Sequence, residues 1–263
     1  MINSKQSAII KKDIKSVVSN KSLLSGLIIV PLVFVVVLPL IFILVLYFAP
    51  DQMDDMEDLL QVLPASIVSD DIVEMTFLFL LNFAMPTFFI MIPVMSATIM
   101  AESSFVGEKE KSTLETLLYC PLSLTEIYQS KVWASFFFSM GVTFASFLLM
   151  LIVMELGALL LLGNMVLPGL SWLFVMLVVS PAVSLLSITF MVIISAKAQS
   201  MEDAQQKSVF LIIPILMLII AQFSGVMLVS AWYLLVAGAI FGIAALIMMK
   251  RSTKNLTYEK LLK

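Results

Sequence analysis

Forty-two consecutive residues, 208–249, carry no charged side chain. A bilayer core about 30 Å thick is crossed by about 20 helical residues, so this stretch is long enough for two crossings. Four more uncharged runs of sufficient length precede it: Leu23 to Pro50, Met75 to Ala101, Val132 to Met154 and Leu170 to Ala196. We divide the last run near Ser230, where Trp232 and Tyr233 supply rings that favour the membrane–water boundary. The expected spans are about 23–49, 76–101, 132–154, 170–196, 209–229 and 231–249. Lipid offers the backbone no hydrogen-bond partner, and no barrel-like alternation is visible, so the spans are read as helices.

Composition agrees. The 263 residues are 61% hydrophobic and 13% charged, where a soluble domain has about 45–50% and about 25%. Too little polar surface remains to cover a water-soluble core of this size. The first apolar run is longer than the h-region of a cleavable signal, about 7–15 residues, and is read as a retained span.

The basic residues set the direction. With the N-terminus inside, Lys5, Lys11, Lys12, Lys15 and Lys21 lie inside, as do Lys109, Lys111 and Lys131, then Lys197 and Lys207, then Lys250, Arg251, Lys254, Lys260 and Lys263. These are all 15 basic residues of the chain. One span more or fewer would move later groups across and break the segregation. Both termini are therefore expected in the cytoplasm. The first outer loop is acidic, with Asp51, Asp54, Asp55, Glu57, Asp58, Asp70, Asp71 and Glu74. It is read first as a solvated loop and second as a surface that attracts cations. Glu155 to Leu170, broken by Gly157, Gly163, Pro168 and Gly169, is either a short outer helix or a re-entrant segment.

Residues 1–22 show a helical face. Ile9, Ile10, Ile14, Val17 and Val18 share one half of the wheel, and Lys11, Lys12 and Lys15 the other. This predicts an amphipathic helix lying in the inner interface.

Catalytic chemistry finds little material. Histidine is absent, which removes Ser–His and histidine-metal mechanisms, and Cys120 is the single cysteine. No ionisable residue lies near the middle of a span; Glu102 and Glu155 stand at span ends. Intramembrane carboxylates usually mark ion relays. Milder polar residues lie within the spans. Asn82, Thr98, Ser139, Thr143, Gln222 and Ser224 are the candidates for a substrate path, with helix bridging as the plainer reading. Pro86, Pro93, Pro181 and Pro214 predict kinks.

The inner stretch from Glu102 to Lys131 carries helix signals of its own. Ser112 and Glu115 have the spacing of a capping box. Leu114, Leu117 and Leu118 form an apolar strip, Pro121 stops that helix, and Ser123 or Thr125 opens the next. A leucine strip below the membrane needs a cover, and a groove on a partner protein would supply it.

Here the sequence resembles the type-2 exporter permeases of the ATP-binding-cassette (ABC) family. An acidic, basic-flanked run leads into T-L-E, two apolar residues, a Pro-x-hydroxyl turn and an E-I pair. The matching residues are Glu108, Glu110, Thr113, Leu114, Glu115, Leu117, Leu118, Pro121, Ser123, Glu126, Ile127 and Lys131. Ser112 stands where the family often has glycine. The motif covers about thirty residues, and the six-span plan, length and N-terminal helix also match.

The resemblance implies an all-α permease domain over 1–263, with residues 102–131 containing the coupling helix and Lys197 to Lys207 as the second inner contact. It implies two copies of a nucleotide-binding ATPase subunit as partners, a second permease copy as a homodimer mate, and a prokaryotic cell membrane as the location. The coupling residues would be Glu108, Glu110, Thr113, Leu114, Glu115, Leu117, Leu118, Pro121, Ser123 and Glu126. No cofactor is expected in this chain: it has no G-x-x-x-x-G-K-[ST] loop, so ATP and Mg would be bound by the partner. No nucleic-acid partner and no catalytic or metal site are expected. A non-transporting scaffold or sensor, and an importer or energy-coupling component, are the alternative readings.

Overall fold

The computed structural model describes residues 3–49, 71–110, 122–198, 200–224 and 230–254. Among these residues there is no strand. A first helix, α1, spans Ser4–Ser19. Six further helices are long and apolar enough to cross a membrane: α2 (Lys21–Phe48), α3 (Ile72–Glu110), α4 (Leu124–Leu161), α5 (Leu170–Ser195), α6 (Met201–Phe223) and α7 (Ala231–Arg251). The chain thus has the architecture of a multi-pass helical membrane protein. Dividing 208–249 is supported, since α6 stops at Phe223 and α7 starts at Ala231.

The helices outrun the uncharged runs. α3 continues past Glu102 to Glu110, and α4 starts at Leu124, before Lys131. A charge ends a hydropathy run without ending a helix, because backbone bonding continues wherever the charge finds water or a partner. The stretch 155–170 resolves the same way. Residues 155–161 extend α4. The following turn folds back: the Glu155 carboxylate accepts from the Val166 amide at 3.3 Å, and Asn82 Oδ1 accepts from the Gly169 amide at 2.7 Å.

α3 is the central element. Its apolar window is 83% buried and that of α5 is 61%, against 17–28% for the other four spans. Exposed Leu, Ile and Phe on the outer helices are at ease in hydrocarbon, so burial in such a bundle follows close packing rather than escape from water. Small residues permit it. Gly238 and Gly242 of α7 face α5, where a Cβ on Gly238 would lie 3.0 Å from Val178 Cγ1 and 3.2 Å from Val179 Cα.

Three spans share one device. The turns Val33–Val37, Leu80–Ala84 and Val175–Val179 are widened to π geometry, and each ends two residues before a proline: Pro39, Pro86 and Pro181. A proline ring clashes with the carbonyl four residues back, here that of Val35, Asn82 or Leu177, and widening that turn moves the carbonyl aside. In α3 the widened register runs from the Met85 amide to the Leu80 carbonyl. Its next donor would be Pro86, which has no N–H. The Leu81 carbonyl accepts instead from Trp172 Nε1–H of α5, at 2.8 Å. The bend in α3 is thereby tied to its neighbour.

Candidate functional site: the end of the bundle where α3 meets α6

The end of α3 meets the segment between α5 and α6. Glu110, the last residue of α3, accepts from the Met201 amide at the start of α6, at 2.9 Å. Lys109 donates to the Ala198 carbonyl, just past α5, at 3.2 Å. Ser200 caps α6 by accepting from the Asp203 amide at 3.2 Å. Gly107 lies beneath Met201, whose sulfur would be 3.3 Å from an added Cβ. The end of α3 and the segment from Ala198 to the start of α6 thus form one joint.

α4 opens at Ser123 with a reciprocal capping box. The Ser123 amide donates to Glu126 Oε2 at 2.8 Å, and the Glu126 amide to Ser123 Oγ at 3.3 Å. Of the two starts considered, Ser123 is used. Ser123 is exposed and Glu126 half-buried, and both side chains serve helix entry.

Behind this joint lies a buried charge cluster. Lys131 of α4 is 3% exposed and donates to Glu108 of α3 at 2.5 Å. It also donates to the Ser104 carbonyl, and its ammonium lies 5.4 Å from the centroid of the Phe105 ring. Lys12 of α1 pairs with the other oxygen of Glu108. Asp13 of α1, also 3% exposed, accepts from Ser104 Oγ at 2.6 Å and lies 3.9 Å from Lys131 Nζ. Burial pushes the Asp13 carboxyl above its ordinary range, while Lys131 and the Ser104 hydroxyl pull it down. Ile9 and Val17 of α1 are buried with Asp13, and Val18 of the expected apolar face is 48% exposed. α1 therefore packs against α4 and α3 by a face that contains a carboxylate. Periodicity alone did not find this, since Asp13 interrupts the apolar strip.

Of the expected coupling residues, Glu108 faces inward to the cluster, Glu110 holds α6, and Ser123 and Glu126 cap α4. Thr113, Leu114, Glu115, Leu117, Leu118 and Pro121, together with the Ser112 capping box, lie outside the described residues. So do the hairpin residues 225–229 and the acidic loop before Asp71.

The expected path residues make the following contacts. Ser139 donates to the Pro93 carbonyl at 3.0 Å and exchanges hydrogen bonds with Ser96 and Ser184, joining α3, α4 and α5. Thr143 donates one turn back, to the Ser139 carbonyl. Gln222 is fully buried and accepts from Thr87 Oγ1 at 2.7 Å. Asn82 holds the turn after α4, and Ser224 bonds locally to Ala221. Thr98 lines a cleft between α3 and α6.

No model of a known protein family matches the chain, and no curated protein matches it. Among the described residues no group of three or more His, Cys, Asp or Glu is placed to hold a metal ion.

Proposed function

We propose that this chain is the membrane-spanning permease subunit of an ABC-type exporter, moving a substrate outward with ATP hydrolysed by a separate nucleotide-binding subunit. The observation that carries the reading is the joint at the inner-loop end. A motor that grips the loop between α3 and α4 also needs a path into other spans. The Glu110–Met201 bond gives that path to α6, and Lys131–Glu108 links α4 back to α3. Two-state rearrangements travel through packed, bonded elements of this kind.

In this reading Leu114, Leu117 and Leu118 contact the ATPase, and Glu108 and Lys131 transmit its movement without touching it. The chain pairs with a second copy in a prokaryotic cell membrane, with both termini inside. α1 lies along the inner interface with Lys11 and Lys15 toward anionic headgroups. The Gly238–Gly242 face is occupied by α5 of the same chain, so pairing uses another of the exposed apolar faces.

The test is ATP turnover. The chain, purified from its own membrane with whatever it binds and reconstituted in vesicles, should hydrolyse ATP. Changing Leu114, Leu117 and Leu118 together to Asp should abolish turnover while membrane insertion is kept. Insertion with unchanged turnover would refute the coupling role.

A further inference from the structure

We propose that the cleft between α3 and α6 binds the ammonium head of a single-chain amphiphile, with Glu102 as its counter-charge. The cleft has a volume of about 150 Å³ and is lined by Val94, Met95, Thr98, Ile99 and Glu102 of α3 and by Gln205, Ser208, Val209 and Ile212 of α6. Glu102 is 3% exposed. Among the described residues its carboxylate has no hydrogen bond and no ion pair, although Lys12 and Lys131 are engaged with carboxylates nearby on the same end of the bundle. A buried carboxylate without a partner is costly, and a cation that enters the cleft removes that cost.

The other polar groups specify the sign of the ligand. Thr98 spends its hydrogen on the Val94 carbonyl at 2.7 Å, and Ser208 spends its own on the Gln205 carbonyl at 2.7 Å. Both therefore present lone pairs to the cleft. A cationic or hydrogen-donating head is matched; a sulfate or phosphate is not. The remaining walls are apolar. At about 30 Å³ for each water-sized group, the volume holds an ammonium head and the first carbons behind it. Val209 of the lining is 51% exposed, so the cleft opens on the outer face of α6, which continues apolar through Leu216, Met217 and Ile220. The tail lies there, toward lipid.

Binding of such a molecule is independent of the exporter reading; its use as cargo rests on that reading. The test therefore measures binding to the full chain alone. The chain in maltoside detergent is irradiated with an alkyl trimethylammonium carrying a diazirine beside its head, and labelled peptides are mapped. Labels should fall in 94–102 and 205–212. Glu102→Gln should lower this labelling at least tenfold, and Gln205→Lys, on the exposed rim, should do the same. A maltoside-headed analogue should label both variants like the original chain.

Excess phosphatidylethanolamine suppresses the signal if a lipid carries the ammonium head, and leaves it if a free amphiphile does. Equal labelling of the cleft by cationic and neutral analogues, or stronger labelling by a sulfate-headed one, would overturn the proposal. Unchanged labelling in a Glu102→Gln chain that elutes as a single symmetrical species would do so too. If that variant fails to fold, Gln205→Lys decides alone.

Discussion

Lys131 and Glu108 meet at 2.5 Å across the start of α4 and the end of α3, almost fully out of solvent. Removing Lys131 leaves Glu108 only the half-exposed Lys12 and takes away the cation beside Asp13; breaking a buried pair of this kind costs about 3–5 kcal/mol. Lys131→Met should therefore lower the unfolding temperature in detergent sharply, and adding Glu108→Leu should recover part of the loss. A double variant no better than Lys131→Met would mean that the pair contributes by packing alone.

Asp13 gives a pH signature. Its folded-state pKa is raised above the ordinary 3.8 by burial, against the pull of Lys131, Ser104 and Lys12, with Glu108 adding to the rise. A raised folded pKa means that the folded state holds the proton more tightly. The stabilisation is full below the unfolded value and is lost as pH rises through the folded one. Asp13→Asn keeps an oxygen for Ser104 and cannot ionise. At matched pH, amide exchange in α1 should be alike in the two chains near pH 3.8. It should become faster in the original chain than in the variant as pH rises. Parallel profiles would contradict this.

Trp172 supplies the one hydrogen that Pro86 withholds from the Leu81 carbonyl. Trp172→Phe keeps a ring in contact with Phe89 and Phe147 but leaves that carbonyl buried without its donor, which costs about 1–3 kcal/mol. Thermal unfolding should show a loss of that size. A loss no larger than that of Trp133→Phe, at a 42% exposed site, would count against the proline-rescue role.

Gly238 and Gly141 make a matched comparison. A Cβ at 238 meets the α5 backbone at 3.2 Å, whereas one at 141 meets nothing within 4 Å. Gly238→Leu should separate α7 from α5 and give poorly folded protein, and Gly141→Leu should be tolerated. Size-exclusion profiles of the two variants check this.

Much of the architecture was legible from residues alone. The uncharged runs and the one-sided placement of lysines gave six spans, and Ser123 was one of two starts, with Thr125, expected for α4. The burial of Asp13, Glu108 and Lys131 was not legible, because a charge in sequence reads as a solvated flank and its partners lie 23 to 118 positions away. The π turns also escaped notice. Prolines predict a disturbance, but the form it takes depends on which neighbour, here Trp172, satisfies the released carbonyl. The small-residue face of α7 is readable as Gly238-x-x-x-Gly242, and only packing shows that α5 covers it. Asn82, Ser139 and Gln222 share polarity and depth in the sequence, yet three different helix contacts use them.

The central claim, that a separate ATPase grips the loop between α3 and α4, is tested most directly by a photo-crosslinking residue in place of Leu117 in the native membrane. The account predicts a covalent adduct to a protein bearing a phosphate-binding loop, lost when Leu114 and Leu118 are changed to Asp. Adducts to lipid or to this chain alone, with no such protein among them, would contradict it.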